Sequence, residues 1–204
     1  MDFPPCRASA LDKEGLGVVT MVSKRCNINN MSIINQKDYE STDPIARFEW
    51  DGQIRAHGRM TNMKRTLAHN GVALRAYMEW YPLKEQVQKV VGERAALLFV
   101  HAISSETDCL ICSTFFRRIL IERGENPDEL QLNEQEELLV HYGRQLVNNA
   151  HLVPQDMLLR LKGWLGEEGL VTLTAFGGIM IATNIFNNAL KIPLDDYLEP
   201  FRKK

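Results

Sequence analysis

Residues 93–121 read ERAALLFVHAISSETDCLICSTFFRRILI, and this stretch decides the fold. Ala95, Leu98, Phe99, Ala102 and Ile103 recur at three- and four-residue spacing, the signature of one apolar helix face. Ser104-Ser105-Glu106-Thr107-Asp108 then reads as a helix break followed by capping residues. Leu110 to Ile121 is the next helix, ended by Gly124 and the Asn126-Pro127 turn. Two consecutive helices joined by a short polar elbow, with Cys109 and Cys112 at the mouth of the second, form the centre of the chain.

The same helical period continues on both sides. Met60, Met63, Leu67, Leu74, Tyr77 and Met78 recur at helical spacing with a break at His69-Asn70-Gly71, and Tyr81-Pro82 marks a stop. Asn133, with Glu136 three residues on, opens a helix through about residue 147 by a capping box. Pro154 opens a short helix to Leu165, Gly166 to Gly169 is a joint, and Leu170 to Leu190 is a long apolar helix closed by Ile192-Pro193. No strand-period run carries hairpin chemistry, so the expected class is all-α, a multi-helix bundle forming one domain over 1–204. Residues 1–55 read as an N-terminal arm or cap, with a helical start at Asp43-Pro44, and 56–204 as the core. At an offset of 75 residues, Cys109 falls on Asn184 and Cys112 on Asn187, a faint echo of two related helical halves.

Bulk properties narrow the function. The 204 residues carry a formal net charge of −2, with 45% hydrophobic and 25% charged side chains. No basic run interleaved with aromatics supports nucleic-acid binding. No apolar stretch is read as reaching the roughly 18 residues of a membrane span, and Met1-Asp2-Phe3-Pro4-Pro5 lacks the basic start and apolar core of a signal peptide. A cytoplasmic protein without membrane or nucleic-acid partners is expected, and in a reducing compartment Cys6, Cys26, Cys109 and Cys112 are not a disulfide framework.

Helical spacing puts Cys109 and Cys112 on one face, with Cα atoms about 5 Å apart, inside the range a disulfide accepts. The positive end of the helix dipole favours a thiolate there, whereas Glu106 and Asp108 oppose it. Buried, inert cysteines are the plain alternative. Zinc would need two further ligands, such as Cys6, Cys26 or a histidine. Haem attachment would need histidine where Ser113 stands, and a thioredoxin motif would need a preceding strand. No cofactor or metal is expected.

The apolar helix, polar elbow and Cys-x-x-Cys resemble the carboxymuconolactone decarboxylase-like family, particularly its alkylhydroperoxidase-D branch. Arg65-Thr66-Leu67-Ala68-His69-Asn70 followed by Leu74-Arg75-Ala76, and the asparagine-rich Thr183 to Leu190, are similar to further segments of that family, so the resemblance covers about 60–198. It implies peroxide reduction by a cycling dithiol, with Cys112 attacking peroxide and Cys109 resolving. It also implies a peroxide or other small oxidant and a thiol/disulfide reductant protein as partners, and a homo-oligomer. The family's redox motif carries a glutamate twelve residues before the first cysteine and a histidine four after the second; here those positions are Leu97 and Phe116, which carry no proton. Glu93, His101 and Glu106 are the candidate substitutes. Competing readings are a catalytically inactive helical assembly or binding protein on this fold, and a non-redox enzyme using another pocket.

Overall fold

The computed structural model describes residues 33–203; Cys6, Cys26 and the 27–30 asparagine patch lie outside them. Eight α-helices follow one another with no strand among the described residues: α1 Pro44–His57, α2 Asn62–Leu67, α3 Gly71–Met78, α4 Trp80–Val91, α5 Glu93–Glu106, α6 Leu110–Glu122, α7 Glu134–Asn149 and α8 Gln155–Ala189. The expected all-α class is what is found.

Local chemistry sets the helix starts. Asp43 accepts from the Ala46 amide at 2.9 Å with Pro44 in the first turn of α1, and Asn70 accepts from Ala73 at 2.9 Å to open α3. Asn133 and Glu136 close the expected capping box in both directions, each at 3.0 Å. The stop expected at Tyr81-Pro82 falls earlier, where α3 ends at Met78 and α4 begins at Trp80. Pro82 falls in its first turn, where a missing N–H breaks no helical bond. The elbow after α5 is also shorter than expected: the helix runs to Glu106, and Asp108, at φ 51°, turns the chain directly into α6.

α5 is the axis of the bundle. Ala95 through Val100, Ala102 and Ile103 are all buried, packed by α6, α7 and α8. Its approach to α7 is set by Gly143, where an added Cβ would lie 3.1 Å from Ile103 and 3.2 Å from Phe99. Phe99 also stacks between Tyr142 and Phe176, with centroids 6.2 and 6.3 Å away. Part of the segment read as an arm or cap is α1, whose fully buried Ala46 joins Leu67, Leu74 and Met78 in a second, smaller apolar cluster.

α8 breaks at Gly166 (φ 71°, ψ 179°), a conformation that side chains with a Cβ do not tolerate, so the expected joint is a kink. The expectation about apolar length needs correction. α8 holds an 18-residue window of mean hydropathy 1.6, long and apolar enough to cross a membrane. Gly177 and Gly178 lie inside this helix and do not interrupt it. One face of that window, with Leu173, Phe176, Gly177 and Met180, packs into the core, and the same face continues to Thr183, Asn184 and Asn187.

Candidate active site

The α5–α6 elbow and the last turns of α8 meet around the two thiols. Cys109 occupies the N-cap position of α6, its amide donating to the Ser104 carbonyl at 3.1 Å. Asn184 Nδ2 donates to Thr107 Oγ1 at 2.8 Å, and Asn188 Nδ2 to the Thr107 carbonyl at 3.0 Å. These bonds tie the elbow to α8. Asn187 Nδ2 then donates to Cys112 Sγ at 3.2 Å and approaches Cys109 Sγ at 3.8 Å. Of the two pairs in the 75-residue echo, Cys112 and Asn187 touch, whereas Asn184 bonds Thr107; the settings also differ, since Cys109 precedes a helix and Asn184 lies inside one.

The sulfurs are unequal. Cys109 is held down at about 7, first by the hydrogen bond from the Cys112 thiol and then, against its burial, by the Ile111 and Cys112 amides and by Asn187. Cys112 is pushed up, because it donates to Cys109, is desolvated and faces a neighbouring negative charge. Once ionised, the pair holds one proton between two sulfurs, and that first ionisation belongs to both. Access divides the other way. Cys109 is fully enclosed at 0% exposure, whereas Cys112, at 6%, borders a cavity of about 100 Å³.

That cavity is largely apolar, with Met63, Met78, Phe115, Phe116 and Met180 in its wall. Lys64, Trp80, Tyr81, Phe116 and Tyr197 border both it and a larger cavity of about 340 Å³. Lys64 is buried, and its Nζ donates to Gln53 Oε1 at 2.6 Å and to the Tyr81 hydroxyl at 2.9 Å. Desolvation lowers Lys64 to about 8 against the nearby Asp195, and raises Tyr81 to about 12. His57 stacks on Tyr81 with centroids 4.0 Å apart.

The residues singled out by sequence fall into two groups. Cys109 and Cys112 are neighbours. Glu93 borders the larger cavity, where it pairs with Arg123 at 2.9 Å. Glu106 accepts from Asn148 at 2.7 Å, lies 3.7 Å from Arg144 and borders neither cavity. His101 also borders neither; burial, with Arg117 and Arg144 nearby, lowers it to about 4. Leu97 lines the larger cavity and Phe116 both, each as an apolar part of the wall. His141 and His151 are exposed. Among the described residues no group of three or more His, Cys, Asp or Glu side chains could hold a metal ion.

Sequence reasoning missed Lys64, Tyr81 and the contact of Asn187 with sulfur. Lys64 had a signal: it lies four residues after Met60 and three before Leu67, a cation on the apolar stripe of its helix.

No family model matches the chain, and no curated protein matches it significantly. Among solved structures it is similar to a protein from Ralstonia eutropha JMP134, described as an alkylhydroperoxidase AhpD core and an uncharacterised peroxidase-related protein. The TM-score is 0.62 at 17% identity, over 80% of this chain and 92% of that one. The fold is therefore AhpD-like.

Proposed function

We propose that this AhpD-like chain is a thiol-dependent oxidoreductase of the peroxidase type, with Cys112 as the attacking sulfur and Cys109 as the resolving one. The carrying observation is that Cys112 borders a cavity while Cys109 lies enclosed behind it, both within reach of one Asn187 amide. The fold it shares with a protein described as peroxidase-related is in keeping with this reading.

The chemistry needs no side chain at positions 97 or 116. The Cys109 thiolate takes the Cys112 proton along the hydrogen bond they share. The Cys112 thiolate attacks the distal oxygen of a hydroperoxide; the O–O bond breaks, giving Cys112 sulfenic acid and an alkoxide. Lys64, protonated at the wall of the same cavity, gives the alkoxide its proton and later regains one from water. Cys109 then attacks the sulfenic sulfur, forming the disulfide and releasing water. A dithiol reductant protein restores both thiols by exchange.

The test uses the full chain treated with one equivalent of peroxide, with peptide mapping to separate this pair from Cys6 and Cys26. The expected result is a Cys109–Cys112 disulfide in the wild type, no oxidation at residue 109 in Cys112→Ser, and in Cys109→Ser a dimedone-trappable sulfenic acid that forms more slowly at neutral pH, because the base that deprotonates Cys112 is gone. Thiols that stay reduced while a control peroxiredoxin oxidises would refute the reading. That outcome would favour the inactive helical assembly, for which the absence of family acids at Leu97 and Phe116 already speaks.

A further inference from the structure

Among the described residues, the lining of the larger cavity carries more positive than negative charge. Arg59, Lys64, Lys84, Arg118 and Arg123 all border it, against one carboxylate, Glu93, which is engaged by Arg123 at 2.9 Å. The whole chain has a formal net charge of −2, so this is a local concentration of positive charge. Four of these cations lie on aromatic faces, Lys64 among them at 5.0 Å over Tyr81. Arg59 sits 4.2 Å over Tyr197, Arg118 5.4 Å over both Phe115 and Tyr197, and Lys84 5.6 Å over Trp80. A guanidinium held flat against a ring is oriented, yet keeps its N–H edge available to fork an oxyanion. The acid nearest Arg118 is Glu122, at 3.7 Å and more exposed.

Orphan donors point the same way. Trp80 Nε1 and Arg118 Nε are buried without a hydrogen-bond partner, and both residues border the cavity. Buried donors of this kind call for an acceptor. On the Cys112 side the orphan is instead an acceptor, Asp195 Oδ2, whose carboxyl is raised by burial. Below the cations the wall is apolar: Leu97, Val100, Phe116, Ile119 and Phe176. At roughly 30 Å³ per water-sized group, the volume of about 340 Å³ holds about eleven heavy atoms.

We propose that this cavity binds an organic carboxylate with an apolar body, head among the cations and tail across Phe116, and that hydroperoxides of this class are what Cys112 receives. The second half rests on the thiol-peroxidase reading; the binding site does not.

The test is calorimetric titration of the full-length protein with decanoate and with decan-1-ol, which share a tail and differ in the head. Decanoate binds at least about tenfold more tightly (about 1.4 kcal/mol), and its advantage shrinks as salt is raised. In Arg118→Gln and, separately, Lys84→Gln, each checked for folding by circular dichroism, the ratio of the two affinities falls toward one. Cys112→Ser keeps the full preference. Equal affinities for acid and alcohol, no binding of decanoate, or a preference that both variants retain would overturn the proposal. Turnover then separates the two readings. Decanoate that binds selectively to a protein whose thiols ignore every hydroperoxide leaves the binding site and removes the peroxidase. Peroxide turnover with no preference for a carboxylate-bearing hydroperoxide over cumene hydroperoxide leaves the peroxidase and removes the proposed substrate class.

Discussion

Replacing Asn187 tests whether the thiol pair is tuned by the fold. Its Nδ2 is the amide that reaches both sulfurs, at 3.2 Å from Cys112 and 3.8 Å from Cys109, and it lowers the pKa of each. A hydrogen bond to a charged acceptor is worth about 1.5–3 kcal/mol, and a diffuse sulfur places this one at the lower end. At 1.36 kcal/mol per pH unit, losing about 1.5 kcal/mol of thiolate stabilisation raises the first ionisation of the pair by about one pH unit. With Cys109 at about 7, the thiolate fraction at neutral pH drops about fivefold. Asn187 Oδ1 is buried without a partner, so Asn187→Leu also removes an orphan acceptor rather than creating one. The assay is the rate of iodoacetamide modification of the Cys109–Cys112 peptide against pH. Asn187→Leu and Asn187→Ala should shift the midpoint up by about one pH unit. Asn184→Ala removes the 2.8 Å bond to Thr107 but leaves the sulfur donor, so it lowers stability without moving the midpoint. A folded Asn187 variant with an unchanged or lower midpoint would refute the reasoning.

Other consequences are measurable by denaturation. Lys64 falls from 10.5 to about 8 on folding, so between these values the unfolded chain binds the extra proton and stability rises with pH. Any stability difference favouring Lys64→Met over wild type should therefore shrink by about 3 kcal/mol from pH 7 to pH 10.5. His101 is lowered from 6.5 to about 4, so its stabilising contribution is present above 6.5 and lost as pH falls toward 4. Relative to wild type, His101→Gln should gain about 3 kcal/mol across that acid window, and parallel acid limbs would contradict this. Gly143→Ala pushes a methyl against Ile103 and Phe99 at 3.1–3.2 Å and should cost about 1–3 kcal/mol in urea unfolding; a neutral change would mean that α5 and α7 can separate freely.

The fold was legible because its helices declare themselves locally. The capping box at Asn133 and Glu136, the apolar face of 95–103 and the break at Gly166 each depend on neighbours within a few residues. What stayed hidden depends on distance in sequence. Asn187 lies 75 residues beyond Cys112, and nothing local tells an asparagine facing sulfur from one satisfying backbone. Lys64 finds Gln53 and Tyr81 across three helices, and without those partners a cation on an apolar stripe reads as a lapse in the pattern. The misread stop at Pro82 has a different origin: proline ends a helix or sits harmlessly in its first turn, and only the true start at Trp80 decides between them.

On the proposed mechanism, apolar side chains at Phe116 and Leu97 change what limits the chemistry. With an imidazole at 116 and a carboxylate at 97, the proton of the attacking thiol could leave through side chains of their own pKa. Here both positions are apolar cavity wall, and the hydrogen-bonding group beside Cys112 other than the Asn187 amide is Cys109. The thiol that later closes the disulfide must therefore first act as the base. Activity then requires the dithiol to have lost one proton, and its pH–rate profile should carry a single acid limb set by that shared ionisation, near the value of about 7 at Cys109. Introducing an imidazole with Phe116→His adds a second titrating group and should broaden or displace that limb; a profile unchanged by the substitution in a folded protein would mean that the proton leaves by a path that passes neither Cys109 nor position 116.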